Sequence, residues 1–283
     1  MKFCSVVVTY YPSRDAAAEN ILQYIEHTDH LIIWENTPEA EREAYRISLP
    51  QYARKITFMG TGENVGIAFA LNRAAEWAAE NGYTHLMMMD QDSRWTNFKL
   101  YRDRIAAWPD DDRNVALFAP SIINARTGLR ESYVSGIMTS GSVAPLWVFD
   151  RIGRGFNEDY FIDCVDLEFY YCLLAHGLTY AIVDDAVMVH SLGYRKKVKF
   201  FNFHTENYSA FRLYYITRNG LWLWRDYRRL GVLSKTWTLW RIVKRIVRNC
   251  RKIILAESSK GTKLKAIARG FADGCSKSHK PLM

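Results

Sequence analysis

The run Leu86-Met87-Met88-Met89-Asp90-Gln91-Asp92-Ser93 sets the tightest limit on what this chain can fold into. An unbroken apolar stretch, opened by His85, reads as a strand buried on both faces, and such strands belong inside an α/β sheet. The strand runs out into two carboxylates spaced i, i+2, so Asp90 and Asp92 start on the same face. Two like charges that close repel unless a cation sits between them. Mg²⁺ or Mn²⁺ suits the position, because hard divalent ions take oxygen ligands and usually also hold substrate phosphates. The competing explanation is an ordinary polar turn, since Asp and Ser are common turn residues.

The chain before this strand alternates in the same manner. Phe3 to Thr9 is a β-branched, apolar strand stopped by Thr9-Tyr10-Tyr11-Pro12, and a helix is expected over residues 14–28. His30 to Trp34 is a second strand, ending in Glu35-Asn36-Thr37-Pro38, and a third covers Lys55 to Met59. Gly60-Thr61-Gly62-Glu63-Asn64-Val65-Gly66 then forms a tight loop into an alanine-rich helix over residues 66–81, closed by Gly82. Alternating strand and helix predict a parallel sheet, with the ligand crevice beyond the carboxyl ends of the strands. Neither a GxGxxG nor a GxxxxGK[ST] phosphate loop is present.

These polar clusters at successive strand ends, with Asn64-x-Gly66, Asn72 in the next helix and Asp90-x-Asp92, resemble the nucleotide-sugar domain of the family 2 glycosyltransferases. The resemblance implies an α/β GT-A fold: a Rossmann-like nucleotide-diphospho-sugar transferase domain with a mostly parallel central sheet, followed here by a C-terminal α-helical extension. It implies that Thr9, Tyr10, Glu35, Asn36, Asn64, Gly66, Asn72, Asp90 and Gln91 hold the donor, and that Asp92 binds its divalent ion. Farther on, Val115 to Ala119 is another strand and Ser140-Gly141-Ser142 precedes an apolar, helix-prone segment; Ser140 and Gly141 are further candidates for substrate contact. Phe161-Ile162-Asp163-x-Val165-Asp166-x-Glu168 resembles the acidic motif of the same family. By that match Asp166 is the catalytic base, with Asp163 and Glu168 as substitutes that also count among the substrate-binding candidates. Thr179 to Val189 reads as the strand that follows in the family, and His190 at its end would complete the metal site with Asp92 and Asp90. One departure concerns Cys172, near a position where related sequences often carry an arginine.

The chemistry fits these residue types. Sugar transfer from a nucleoside diphosphate requires stabilising the departing diphosphate and deprotonating an acceptor hydroxyl, and direct attack inverts the anomeric centre. The stretch Tyr208 to Asn219 is similar to a segment of the rhamnosyltransferase branch, which implies dTDP-rhamnose as donor and places Arg218 and Asn219 near the active-site edge. The alternative within the class is a UDP-sugar transferase moving galactofuranose or a hexose. A nucleotidyltransferase is disfavoured because no basic Gly-rich triphosphate loop lies near the N-terminus.

Charge divides the chain. Residues 193–283 carry 22 Lys and Arg against 4 Asp and Glu, whereas residues 1–192 carry 16 against 26. The boundary expected is a catalytic domain over 1–205 and a basic, amphipathic extension over 206–283. Within it, residues 232–256 read as a long helix with Leu239, Ile242, Val243, Ile246, Cys250, Ile253 and Ile254 at helical spacing among basic residues, and with Trp237 and Trp240 near one end. This composition suits an anionic membrane surface, and the acceptor implied by the resemblance is a glycan or lipid-linked saccharide. A shorter basic helix is expected within 257–283. Tail charge with interleaved aromatics also fits a non-catalytic nucleic-acid-binding protein, but that reading leaves the acidic motif and strand-end residues unexplained, and no nucleic-acid partner is expected. Five cysteines without a CxxC pair predict free thiols. No targeting segment or membrane-spanning run is evident, so the expected location is cytoplasmic, peripheral on the inner face of the membrane.

Overall fold

The computed structural model describes residues 1–109, 114–131, 136–190, 196–198, 203–233 and 238–276. Trp237, Ser191, Leu192, Gly193 and parts of the stretches 109–113 and 132–150 lie outside the described residues.

The expected strands form where the apolar runs predict them: β1 (Phe3–Thr9), β2 (His30–Glu35), β3 (Ile56–Met59) and β4 (His85–Asp90). They lie side by side in the order β3-β2-β1-β4, all parallel. Between them run α1 (Arg14–Leu22), α2 (Glu39–Tyr45) and α3 (Gly66–Glu80). The helix expected over 14–28 is shorter, because α1 stops at Leu22 and only a single 3-10 turn, Ile25–His27, follows.

Beyond β4 the sheet becomes mixed. β5 (Ser93–Trp95), α4 (Phe98–Ala106), β6 (Val115–Asn124), β7 (Val143–Pro145), α5 (Trp147–Ile152), α6 (Val165–Ala175) and β8 (Thr179–His190) follow in the chain. The order continues β4-β7-β6-β8-β5, with β7 antiparallel to both its neighbours, β8 parallel to β6 and β5 antiparallel to β8. β5 therefore lies four places from β4 although only Gln91 and Asp92 separate them in sequence. In a flat sheet four spacings would be about 19 Å, and three Cα steps reach at most about 11 Å. The sheet must curl, and the curl folds β5 and the end of β8 back over the end of β4.

Side-chain alternation sends each strand's residues into two cores. Leu86 and Met88 of β4, with Cys4 and Val6 of β1, face α3, α5 and α6, whereas Met87 and Met89, with Phe3 and Val7, face α1 and α4. Asp90 continues the Leu86–Met88 face. α7 (Ala210–Tyr227) contributes buried Leu221, Trp222, Leu223 and Tyr227 to that same core.

A two-stranded ribbon, β9 (Lys196–Val198) with β10 (Phe203–Thr205), precedes α7, and α8 (Leu239–Ala256) and α9 (Lys260–Ser276) follow it. Leu213 of α7, Ile253 of α8 and Ile267 of α9 form a small core of their own. α9 lies close on α7, where a Cβ at Gly270 would stand 2.5 Å from the backbone oxygen of Tyr214. α8 starts later than the amphipathic pattern suggests, at Leu239, and it carries two apolar stripes. Ile242 and Ile253 point inward, whereas Trp240, Val247 and Ile254, seven residues apart, point outward with Trp240 72% exposed. Among the described residues no helix is long and apolar enough to cross a membrane.

Candidate active site

The curl brings the acids after β4 together with a histidine about a hundred residues later in the chain. One ligand atom each from Asp90, Asp92 and His190 lie within 4.8 Å of one another. Asp90 comes from the end of β4, Asp92 from the two-residue link to β5, and His190 from the end of β8, where it pairs in register with Ser93. His190 Nδ1 is 2.8 Å from Ser93 Oγ, which leaves Nε2 for another partner. Two carboxylates and an imidazole are a donor set for a divalent ion, and the fit is one of chemistry and convergence.

The acidic motif stands opposite. Asp166 lies in the first turn of α6, half-buried, with Oδ1 accepting the Leu167 N–H at 2.8 Å. Burial pushes its carboxyl up to about 7 against that hydrogen bond, and the charges of Asp90 and Asp163 push in the same direction. Burial also lifts Asp90 to about 6, with Asp92 adding to the rise and His190 and Arg212 opposing it. Asp163 is taken by Arg212 of α7, whose guanidinium donates Nε at 3.1 Å to Oδ2 and Nη2 at 3.0 Å to Oδ1.

Glu168 is sealed instead of facing the site. It is fully buried, bound by Arg154 Nη2 at 2.8 and 2.7 Å and by the Tyr227 hydroxyl at 2.9 Å. Burial raises its carboxyl despite these donors. Neither oxygen is free for an acceptor, so Glu168 ties α6 to α7 and to the Arg154 segment. Cys172 is buried nearby.

Several candidates for donor binding shape the crevice from within. Thr9 donates its hydroxyl to the Trp34 carbonyl at 2.9 Å, and the Asn36 carboxamide, 3% exposed, accepts from Trp34 Nε1 and donates to the Gly66 carbonyl. Asn64 Oδ1 accepts the Gly66 N–H at 3.0 Å. Gly66 is required: its φ is +83°, and a Cβ there would lie 2.7 Å from the Phe161 carbonyl oxygen, which accepts the Ile67 N–H at 2.8 Å. Asn72 brackets the loop before the acidic motif, accepting the Phe156 N–H and donating to the Phe156 carbonyl and to Glu158. Gln91 clips the ends of β1 and β4 by accepting the Tyr10 N–H at 2.8 Å and donating to the Tyr10 carbonyl at 3.2 Å.

Two candidates present open surface at the crevice. Tyr10 is 48% exposed and Asp92 is exposed as well. Glu35 is buried near Arg42, with its carboxyl raised by that burial. Ser140 is buried and belongs to the support of the metal candidates, and Gly141, at φ +81°, turns the chain beside Met188.

Arg218 is likewise interior. Its guanidinium lies 4.0 Å from the Trp222 ring centroid and 4.7 Å from that of Tyr215, and it donates to the Asp159 carbonyl. Asn219, fully buried, donates its carboxamide to the carbonyls of Tyr160, Ile162 and Asp163 at 2.8, 2.8 and 2.7 Å. The Arg218-Asn219 pair thus grips the loop that leads to Asp166. Sequence reasoning missed Arg212 and Ser93 as parts of the site. A single basic residue in a basic tail and a serine in a turn carry no periodic signal.

No protein-family model matches the chain. Its sequence is similar to RfbF, a dTDP-rhamnosyl transferase of Shigella flexneri, with 28% identity over 240 residues, covering 78% of this chain and 79% of that protein. Its structure is similar to residues 1–349 of TarS from S. aureus in complex with UDP-GlcNAc, with a TM-score of 0.62 at 11% identity over 97% of this chain and 81% of the other. GalNAc-T7 with UDP, GalNAc and Mn²⁺ superposes with a TM-score of 0.53 at 12% identity over 97% of this chain and 56% of its own. The solved structures speak for the fold and the Shigella relative for the kind of enzyme. Together they agree with the strand-end polar groups and the acidic motif: the chain is a glycosyltransferase of the GT-A fold, similar to the rhamnosyltransferase-like branch of family 2.

Proposed function

We propose that the enzyme is a metal-dependent inverting rhamnosyltransferase that takes its sugar from dTDP-rhamnose and adds it to a glycan in surface polysaccharide biosynthesis. The observation that carries this reading is the convergence of Asp90, Asp92 and His190 within 4.8 Å beside the half-buried Asp166. These three residues would hold Mg²⁺ or Mn²⁺, and when bound the cation offsets the negative charge that gathers on the departing diphosphate. Arg212 supplies a fixed positive charge on the same side, held by Asp163.

Asp166 takes the proton from the acceptor hydroxyl as that oxygen attacks the anomeric carbon. A carboxyl near 7 is poised for this work, ionised in a large share of molecules and still basic enough to accept a proton. Attack from the face opposite the diphosphate inverts the centre. Support for the thymidine donor comes from the name of the Shigella relative, whereas UDP in the two solved neighbours favours the alternative of a UDP-sugar donor.

The outward stripe of α8 supports a membrane-bound acceptor. Trp240, Val247 and Ile254 lie beside the exposed Arg241, Lys244, Arg248 and Arg251, the pairing of apolar and basic surface that settles at an anionic interface. The protein would then work at the cytoplasmic face of the membrane on a lipid-linked saccharide. A thermal-shift panel of dTDP, UDP, GDP and CDP, each with and without Mn²⁺, tests the donor reading, because a ligand that binds only the folded state raises its apparent stability. A Mn²⁺-dependent shift confined to dTDP is expected. A shift confined to UDP moves the assignment to the UDP-sugar donors, and no shift with any nucleotide refutes the transferase site.

A further inference from the structure

A chain of buried hydroxyls joins two of the metal candidates through the interior. The Asp90 backbone N–H donates to Ser140 Oγ at 3.1 Å, Ser140 Oγ–H donates to Ser93 Oγ at 2.7 Å, and Ser93 Oγ meets His190 Nδ1 at 2.8 Å. Ser93 is 0% exposed and Ser140 is 2% exposed, so no water competes for these contacts. The chain closes on itself: it leaves the backbone of one acid and ends on the ring of the histidine that converges with that acid.

We propose that Ser93, supported by Ser140, is the positioning residue of the metal site and fixes the orientation of the His190 ring. This rests on the metal reading above. An imidazole can ligate through Nε2 only if its remaining proton sits on Nδ1, and a partner able to accept from Nδ1 supports that form. The Ser93 hydroxyl has two lone pairs, so it can accept from Ser140 and from Nδ1–H together. It can also turn and donate to Nδ1 when the proton is on Nε2. A hydroxyl at this position therefore keeps the ring tethered in both forms, and ligand capture needs only a reversal of one hydrogen bond. An alanine would leave the ring without that tether.

The link through Ser140 gives the same device a second function. By receiving the Asp90 N–H, Ser140 pins the last residue of β4 at the point where the chain turns towards Asp92 and β5. Asp90 and the imidazole are thus held against one internal frame although their strands, β4 and β8, lie three places apart in the sheet.

The test is titration with MnCl₂, alone and with dTDP present, followed by electron paramagnetic resonance of the free ion. Ser93→Ala is expected to raise the Mn²⁺ dissociation constant by about 10- to 100-fold, the range for removal of a hydrogen-bond partner behind a metal ligand. Ser140→Ala should give a smaller rise in the same direction, and Ser93→Thr, which keeps the hydroxyl, should recover affinity. Ser93→Ala with affinity within twofold of the wild type overturns the proposal. Should the alanine variant fail to fold, the wild type decides: with Mg²⁺ bound, the ¹⁵N shifts of the His190 ring must report the proton on Nδ1, and a proton retained on Nε2 overturns it. Failure of the wild type to bind Mn²⁺ in either titration is a different result, which overturns the metal reading and this proposal with it.

Discussion

Asp90→Asn should make the metal-free protein more stable at neutral pH even though it removes a candidate ligand. Burial first, and the charge of Asp92 second, raise the Asp90 carboxyl from 3.8 to about 6. Between those values the folded protein holds a proton that the unfolded chain has released. Stability falls with rising pH wherever the native state binds more protons, so the cost of this carboxylate is absent below about pH 4 and complete above about pH 6. At about 1.4 kcal/mol for each tenfold change in proton affinity, a rise of this size amounts to about 3 kcal/mol. Asparagine keeps the shape and cannot ionise. Urea unfolding in EDTA should therefore show the variant and wild type nearly equal at about pH 4 and the variant ahead by up to about 3 kcal/mol at about pH 7.5. Added Mn²⁺ should stabilise the wild type at the higher pH and leave the variant nearly unmoved, because the cation takes the place of the proton. Parallel curves of stability against pH for the two proteins, in the absence of metal, would refute the reasoning.

Other perturbations separate the parts of the site. Asp166→Asn should abolish transfer while Mn²⁺-dependent nucleotide binding persists in the thermal-shift assay; loss of both together would remove it as the base. In the wild type, kcat/KM should rise with pH and level off at or below about 7, because Asp166 must be ionised and a cation on Asp90 relieves the repulsion that raises it. Asn219→Ala leaves buried loop carbonyls without their donor, which should cost about 1–3 kcal/mol in denaturant unfolding and lower kcat more than it weakens nucleotide binding. Replacing Val247 and Ile254 by serine should reduce sedimentation with anionic vesicles while leaving nucleotide binding unchanged; equal sedimentation would detach α8 from the membrane reading.

The parts of the fold legible in the sequence are those written in local periodicity. β1, β2, β4 and the helix after Gly66 announce themselves by apolar runs and by glycine, and the acids at the end of β4 stand out because carboxylates there need a cause. β5 and β7 have three residues each, too short for alternation to show, and so the curl that builds the site was not legible. The roles of Asn36, Asn64 and Asn72 were legible only as polar residues in the right places. Asn64 closes a local turn on the Gly66 N–H, but Asn36 and Asn72 reach backbone groups 30 and 84 residues away, and nothing local encodes such pairings. The single amphipathic face read for α8 mixed two stripes, because helical spacing alone does not say which of two apolar rows meets the protein.

The loop ahead of Asp166 is held between α3 and α7. Phe161, Asp163 and Cys164 all have positive φ, at 57°, 59° and 63°, in a stretch without glycine. Such conformations cost about 1–3 kcal/mol each and persist only where the surroundings over-determine them. Here the surroundings are α3 on one side, through Ile67 N–H and the space left by Gly66, and α7 on the other. From α7 come the Asn219 carboxamide on three carbonyls, Arg218 on the Asp159 carbonyl, Arg212 on Asp163 and Tyr215 stacked on Phe161 at 5.3 Å. The conformation sets how α6 begins, and so where Asp166 points. The sheet ends present the groups suited to donor and metal, while the proposed base is aimed by a helix that arrives some fifty residues later, and the two halves of the proposed chemistry can therefore be damaged independently.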